Sequence, residues 1–456
     1  MVDGSFRDPS GFVFKRNNTY LRQINDSYRQ SYDLLMESGL YKKLVDSNLL
    51  IKHEEIEEAP AAPHCYKIIK PQQLDFISYP YEWSFSALKQ AALLTLKIQH
   101  IALEHNCSLK DASGYNIQFV GSNPVFIDTL SFEPYRTGEP WIAYRQFCQH
   151  FLAPLALMSR VDIRLNHLLK TYIDGIPLDL AAKLLPRRSH FKMGLLLHVH
   201  LHAGTQHKFK DTAKAPQRSL PIPKHNLIGL IDNLASSVKS LHWKLPKTQW
   251  GNYYHDTNYT DKAFEHKKNI ITKFLIASKP TCVWDIGANT GVFSRLASQN
   301  NIRIISFDID PAAVEKNYLE AIAHNDTHIT PLLLDVTNPS PGIGWANTER
   351  SALVNRADAD TVMALALIHH LAIGNNLPLK LCARFFASLG KTLIIEFVPK
   401  SDSQVKRLLA TRQDIFIDYT TRDFEAAFGE YFTLIERCLI YESERILYLF
   451  SRIDEC

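Results

Sequence analysis

The 456-residue sequence lacks any apolar run long enough to cross a bilayer, which takes about 20 such residues. Its first residues, MVDGSFRDPSGF, are polar and charged where a secretory leader carries an apolar core. It has no basic excess: 51 Lys and Arg face 47 Asp and Glu, a formal charge of +4. The phosphate-neutralising surface that holds a protein on nucleic acid is therefore not expected. Its seven cysteines (Cys65, Cys107, Cys148, Cys282, Cys382, Cys438 and Cys456) include no CxxC pair and are odd in number, which argues against a zinc site and against a disulfide framework. No internal repeat or low-complexity tract is found. These absences predict a cytoplasmic protein with no membrane span and with nucleic acid disfavoured as substrate.

What is present suffices for two or three cores, because 46% of the residues are hydrophobic and a chain of this length exceeds one ordinary domain. The stretch from Lys208 to Lys224, KFKDTAKAPQRSLPIPK, mixes proline, lysine and small polar residues without apolar periodicity, as linkers do. The expected organisation is an N-terminal α+β domain over 1–207, a linker and connecting helix over 208–245, and a second domain over 246–456. In that second domain β-branched runs (TCVWDIG, IRIISFDI, ITPLLLD, DTVMALAL, KTLIIEFV) alternate with helical patterns. Such alternation predicts an α/β, Rossmann-like parallel sheet, and the closely spaced TLIERCLI and RILYLFSR predict a terminal antiparallel pair.

Asp285-Ile286-Gly287-Ala288-Asn289-Thr290-Gly291 follows the first of these runs and precedes a helix, the setting of a nucleotide-binding turn. A dinucleotide fold places a glycine at the middle position to admit a pyrophosphate, and Asn289 stands there instead. Gly287 and Gly291 let the chain turn tightly beneath a ligand. Asp308 ends the second run, 21 positions beyond Gly287, where an acid accepts both hydroxyls of a ribose.

DIGANTGVFS, SFDIDPAAV and LLLDV occur in the order and at the intervals of the first three motifs of class I S-adenosylmethionine (SAM)-dependent methyltransferases, and the chain resembles that family from about Trp250 to Arg452. The resemblance implies SAM as cofactor. It implies that Asp285 and Gly287, with Ala288, Asn289 and Gly291, line the methionine end, that Asp308, followed by Ile309, holds the ribose with Asp310 as substitute, and that Asp335, followed by Val336, meets the adenine. Tyr253, Tyr254, Asn258 and Tyr259 resemble the lead-in that closes over SAM, and read equally as aromatic packing at a domain edge. NPSPGIGWANTER, IHHLAIGNNLP and EFVPKSDSQV resemble a bacterial branch that includes proteins related to rhizobial host-specificity nodulation factors.

The fourth strand ends at His369 and His370, where this fold presents substrate-facing residues. Methyl transfer needs a nucleophile held in line and often a base, which histidine supplies near neutral pH. Either histidine also reads as a core residue satisfied by a carbonyl. Glu396, closing the fifth strand, is a further catalytic candidate or a solvated strand end. No Asn/Asp-Pro-Pro-Tyr/Phe run and no Pro-Cys nucleophile occurs, so by elimination the expected acceptor is a small-molecule or glycan hydroxyl. A non-catalytic SAM-binding scaffold is the rival reading.

In the N-terminal half, Gly11 to Ile24 predicts a hairpin turning at Asn17-Asn18, Ser84 to His105 predicts a helix, and NIQFV with PVFID predicts short strands. Asn116 lies five positions after Asp111, and Asp128 twelve after Asn116. This order resembles protein-kinase-like and aminoglycoside-phosphotransferase-like folds, which implies a catalytic Asp and two magnesium ligands. The sequence departs from that pattern: it has no glycine-rich loop and no VAIK-like lysine, and Thr129-Leu130 replace Phe-Gly. The expectation is a degenerate kinase-like domain that binds a substrate, nucleotide or partner, with a bifunctional kinase and methyltransferase as the alternative. His198, His200 and His202 would share one strand face and invite a metal reading, against a partly buried histidine strand or helix.

Overall fold

The computed structural model describes residues 1–201, 222–246, 259–410 and 412–453. The chain forms two compact units, Met1–Lys244 with Gly342–Ser351, and Leu245–Pro341 with Ala352–Cys456. Most of the predicted linker, as well as Tyr253, Tyr254, Asn258 and His202, lies outside the described residues.

The first unit opens with β1 (Gly11–Arg16) and β2 (Thr19–Asn25). Asn17 and Asn18 both take positive φ (47° and 62°), the backbone that a two-residue hairpin turn needs to match strand twist. With β3 (His53–Ile56) and β4 (Cys65–Pro71) they form an antiparallel sheet in the order β1-β2-β4-β3. Two helices, α1 (Arg29–Glu37) and α2 (Leu40–Asp46), connect β2 to β3. The 20-residue α3 (Phe85–Glu104) is capped by Ser84, whose side chain accepts from the Ala87 N–H, satisfying one of the donors a helix start leaves open. Then come β5 (Cys107–Leu109), the β6 (Ile117–Val120) and β7 (Asn123–Phe126) hairpin, and β8 (Phe132–Pro134), which pairs with β5.

The connecting helix α4 (Lys224–Lys239) belongs to this unit, where Lys89 of α3 donates to the carbonyls of Lys239 and Leu241. So does the excursion Gly342–Ser351, whose buried Glu349 accepts from Arg7 at 2.6 and 2.9 Å and from the Trp345 N–H at 3.0 Å. The first unit gives way to the second between Lys244 and Leu245, and the second unit is interrupted by that excursion.

The second unit begins with α5 (Asp261–Ser278) and then alternates: β9 (Cys282–Ile286), α6 (Ser294–Ser298), β10 (Arg303–Asp308), α7 (Pro311–Ala323), β11 (Ile329–Leu333), β12 (Ala359–Ala364), α8 (Leu379–Leu389) and β13 (Gly390–Phe397). After α9 (Thr421–Gly429) the chain closes with β14 (Phe432–Leu439) and β15 (Ile446–Arg452). The sheet order is β11-β10-β9-β12-β13-β15-β14. Its first five strands are parallel, and β15 inserts antiparallel between β13 and β14. β9 is buried along its whole length, so its residues read as a continuous apolar run rather than an alternation. Strand order reverses between β9 and β12, and the crevice beyond the carboxyl ends of those strands is where such sheets take ligands.

Candidate active site

A cleft opens at that switch point. It encloses about 1180 Å³, mouth included, and is lined by the turn after β9, the ends of β10 and β11, the segment after β12 and the start of α5. The structure brings Asp285, Gly287, Ala288, Asn289, Asp308, Ile309, Asp335 and Val336 into its wall.

Gly287 adopts φ +84° and Gly291 φ +78°, a region that side chains disfavour. The two glycines serve different neighbours. A Cβ on Gly287 would make ordinary contact with Leu367 at 3.5 Å, so its backbone angle alone calls for glycine. On Gly291 a Cβ would lie 2.3 Å from Asn317 Oδ1 of α7, so helix packing, not the ligand, excludes a side chain there. The N–H groups of Gly287 and Ala288 donate to the Phe307 carbonyl at 2.8 and 2.9 Å, binding the turn to β10.

Asp308 accepts from the N–H of Asn289 at 2.7 Å and of Asp310 at 2.8 Å, which fixes its carboxylate at the cleft. Burial nonetheless pushes its pKa up to about 6. Asp285 accepts from Ser294 Oγ at 2.6 Å, and burial pushes it up to about 7, with the Asp308 charge adding and Lys267 opposing. Asp310 caps α7 by accepting from the Ala312 N–H. Ile309 is 62% exposed, an uncovered apolar side chain beside Asp308 and suited to a flat base. Asp335 accepts from Thr337 through both N–H and Oγ. A turn without side-chain obstruction, an acid at the second strand end and an open apolar surface fit a SAM nucleoside.

His369 and His370 lie on a helical turn that follows Ala366, a non-glycine residue at φ +50°, and their rings are 4.2 Å apart. His370 lines the cleft; burial and the Arg445 charge lower its pKa. His369 is 1% exposed with Nδ1 unpartnered, and burial holds its pKa well below the usual value.

Glu396 is fully buried. It accepts from Lys267 at 2.6 Å and from Arg445 at 3.4 Å, and the Tyr259 hydroxyl donates to it in a short hydrogen bond. Arg445 also donates to Tyr259 at 3.0 Å and grips Asp402 at 2.8 and 3.1 Å. Burial opposes ionisation of Glu396, yet Lys267 and Arg445 hold its carboxyl below the usual range. Lys267, lowered by burial, lines the cleft together with Tyr259. Lys267 and Arg445 went unmarked in the sequence because their only signal is contact with a strand far away in the chain.

In the first unit Asp111, Asn116 and Asp128 converge on one loop cluster. Burial and the Asp128 charge raise the Asp111 pKa, while the side chains of Asn116 and Gln146 hydrogen-bond to it. Asn116 donates to Ser131 at 3.2 Å, and Ser131 donates to Asp128 in a short bond. Asp128 is ion-paired with Arg22 of β2. His198 and His200 lie on a helical turn, Leu196–Leu201, rather than on a strand. His198 sits between Tyr144 and Asn233, 2.8 Å from each, and His200 stacks on His190 at 3.7 Å. Among the described residues no group of His, Cys, Asp or Glu is placed to hold a metal ion, and no helix is long and apolar enough to cross a membrane.

Strand order, glycine-hinged turn and strand-end acid together define a class I SAM-dependent methyltransferase domain. The chain belongs to the family of the nodulation protein NoeA of Rhizobium meliloti (strain 1021), to which it is 36% identical over 463 residues, spanning 99% of this chain and 96% of that one. No family model matches the sequence. Among solved structures, the N-methyltransferase NodS from Bradyrhizobium japonicum WM9 with S-adenosylhomocysteine is similar over 46% of this chain and 94% of that one, at 13% identity and TM-score 0.33. Magnesium protoporphyrin IX methyltransferase of Synechocystis PCC 6803, with S-adenosylhomocysteine bound, is similar over 44% and 91%, at 17% identity and TM-score 0.31. The strand order, rather than these two likenesses, defines the fold.

Proposed function

We propose that this chain transfers the methyl group of SAM to a hydroxyl of a small molecule or glycan in the cytoplasm, with His370 as the base. The observation that carries the reading is that His370 lines the same cleft as the Gly287 turn, Asp308 and Asp335. When bound, SAM supplies a methyl carbon made electrophilic by its sulfonium. A hydroxyl oxygen is a poor nucleophile until its proton leaves. His370, with its pKa lowered, is neutral at pH 7 and offers a basic imidazole nitrogen for that proton. Phe264, Phe293, Leu365 and Leu371 supply apolar wall around it, which keeps bulk water from competing as acceptor. Glu396, committed to two cations, serves as their counter-ion and not as a second base. Isothermal titration with S-adenosylhomocysteine, followed by mass-spectrometric detection of methyl transfer to a panel of hydroxyl-bearing sugars and small molecules, tests the reading. Failure of the folded protein to take up the nucleoside would sink it.

For the first unit we read a binding role, for a substrate, nucleotide or partner, rather than phosphoryl transfer. The support is Arg22: its guanidinium neutralises Asp128, the carboxylate that a magnesium ion would need in a phosphotransferase. Magnesium-dependent ATP consumption abolished by Asp111→Ala would reverse this reading in favour of a bifunctional enzyme.

A further inference from the structure

A smaller cleft lies within the first unit. Arg160, at the end of the helix Ala153–Arg160, walls it together with Lys192 and with Ser237 and Ser240 at the end of α4. Gly194 lets the Lys192 segment press on α4, since a Cβ there would fall 2.0 Å from Ser237 Oγ. Ser237 Oγ donates to the Asn233 carbonyl and Ser240 Oγ to the Ser237 carbonyl, both at 2.7 Å. The carbonyls of Lys239 and Leu241 accept from Lys89, and that of His242 from Ser159. The two cations are left over. Among the described residues no acid lines the cleft, neither Arg160 nor Lys192 forms an ion pair, and Arg160 Nε is enclosed without a hydrogen-bond partner.

We propose that Arg160 and Lys192 seat a phosphate monoester, so that the first unit anchors a phosphorylated ligand. The inference stands independently of the SAM reading. Two cations bordering one cleft with no acid between them repel each other, and an anion of two charges relieves that repulsion. A carboxylate would answer only one of the two. The guanidinium offers a rigid fork that matches phosphate oxygens, and the ammonium adds a compact point charge. An enclosed N–H without a partner costs stability unless a ligand or water meets it. The surrounding sequence carries the same bias: from Leu180 to Lys210 it has six Lys and Arg and no Asp or Glu, which attracts anions toward this face. Phe191 and Met193, on either side of Lys192, are 90% and 66% exposed. Such apolar side chains would meet acyl chains if the monoester is a lipid headgroup.

The experiment has two arms, both on the full chain. Inorganic phosphate, titrated at constant ionic strength and followed by its phosphorus NMR line width, probes for a soluble ligand. Sedimentation with phosphatidylcholine vesicles carrying phosphatidic acid, whose headgroup is a phosphate monoester, probes for a lipid. Saturable binding is expected in at least one arm, weakened at least about fivefold in Lys192→Met and in Arg160→Met. Lys97→Met, which removes an exposed cation on α3, should change it by less than about twofold. Arg160 is half-buried and Lys192 exposed, so Lys192→Met carries the test should Arg160→Met fold poorly. Phosphate binding alone identifies a soluble ligand, and vesicle binding a lipid headgroup. Binding in neither arm, binding undiminished in Lys192→Met, an equal loss in Lys97→Met, or vesicle binding that phosphatidylglycerol, a diester, supports equally well would each overturn the assignment.

Discussion

Glu396 Oε2 and Lys267 Nζ lie 2.6 Å apart with their side chains 0% and 2% exposed, and Arg445 closes on the other carboxylate oxygen. Removing the acid leaves Lys267 without its carboxylate in a dry site, while Arg445 keeps Asp402, and an uncompensated buried charge costs about 3–5 kcal/mol. Glu396→Ala is therefore expected to lower unfolding free energy by that amount in urea titrations. Replacing Lys267 and Glu396 together should cost less than the sum of the single changes, since each removal exposes the other's charge.

His370 and His369 should separate by phenotype. His370→Ala is expected to lower kcat about 10²–10⁴-fold, as loss of a general base does, with S-adenosylhomocysteine affinity little altered. His369→Ala should show its main effect as a lower melting temperature, because His369 is buried away from the cleft. A turnover rate untouched by His370→Ala would reassign the base.

The two strand-end acids make opposite demands on pH. Because burial raises Asp285 to about 7, its neutral form suits the fold. The stability linked to it is present below the ordinary carboxyl pKa and is lost as pH rises through about 7. Against Asp285→Asn, the unaltered protein should match in stability at about pH 3.5, fall progressively shorter between about pH 4 and pH 7, and be less stable by more than about 1 kcal/mol at about pH 8, read by paired urea titrations. In the proposed cofactor site Asp308, raised to about 6, would ionise to accept both ribose hydroxyls. Affinity for S-adenosylhomocysteine should therefore climb through about pH 6 and level off above it, and Asp308→Asn should flatten the curve.

Gly291→Ala combines the left-handed backbone penalty of about 1–2 kcal/mol with an overlap on Asn317 costing about 1–3 kcal/mol. Gly287→Ala meets the first penalty alone, since its Cβ has space beside Leu367. Thermal melts should rank Gly291→Ala as the more damaging change.

In the first unit, Arg22→Met should destabilise the fold by about 3–5 kcal/mol by stranding Asp128. Adding Asp128→Asn should recover much of the loss. A double variant no better than the single one would show that Arg22 acts through packing instead.

Local signals were legible where chemistry and chain direction coincide. The strand-turn-helix from Cys282 to Ser298 and the hairpin at Asn17-Asn18 depend on neighbours within a few residues, so periodicity and turn residues disclose them. Gly291 was legible as a glycine but not for its reason, which is Asn317 on the following helix. His369 and His370 were expected at the end of the fourth strand. They stand instead on a helical turn with neighbouring rings, and only the path of that turn decides which one meets the cleft.

Sequence alone determined the α/β alternation, the glycine-hinged turn and the strand-end acid 21 positions beyond it, because backbone sterics and strand periodicity act over short spans. Only the folded chain decided that Lys267, Glu396 and Arg445, 129 and 49 positions apart, share one buried charge cluster, and that Gly342–Ser351 leaves the methyltransferase sheet for the first unit. Charge pairing in a dry interior depends on distance in space, which residue spacing along a chain does not encode.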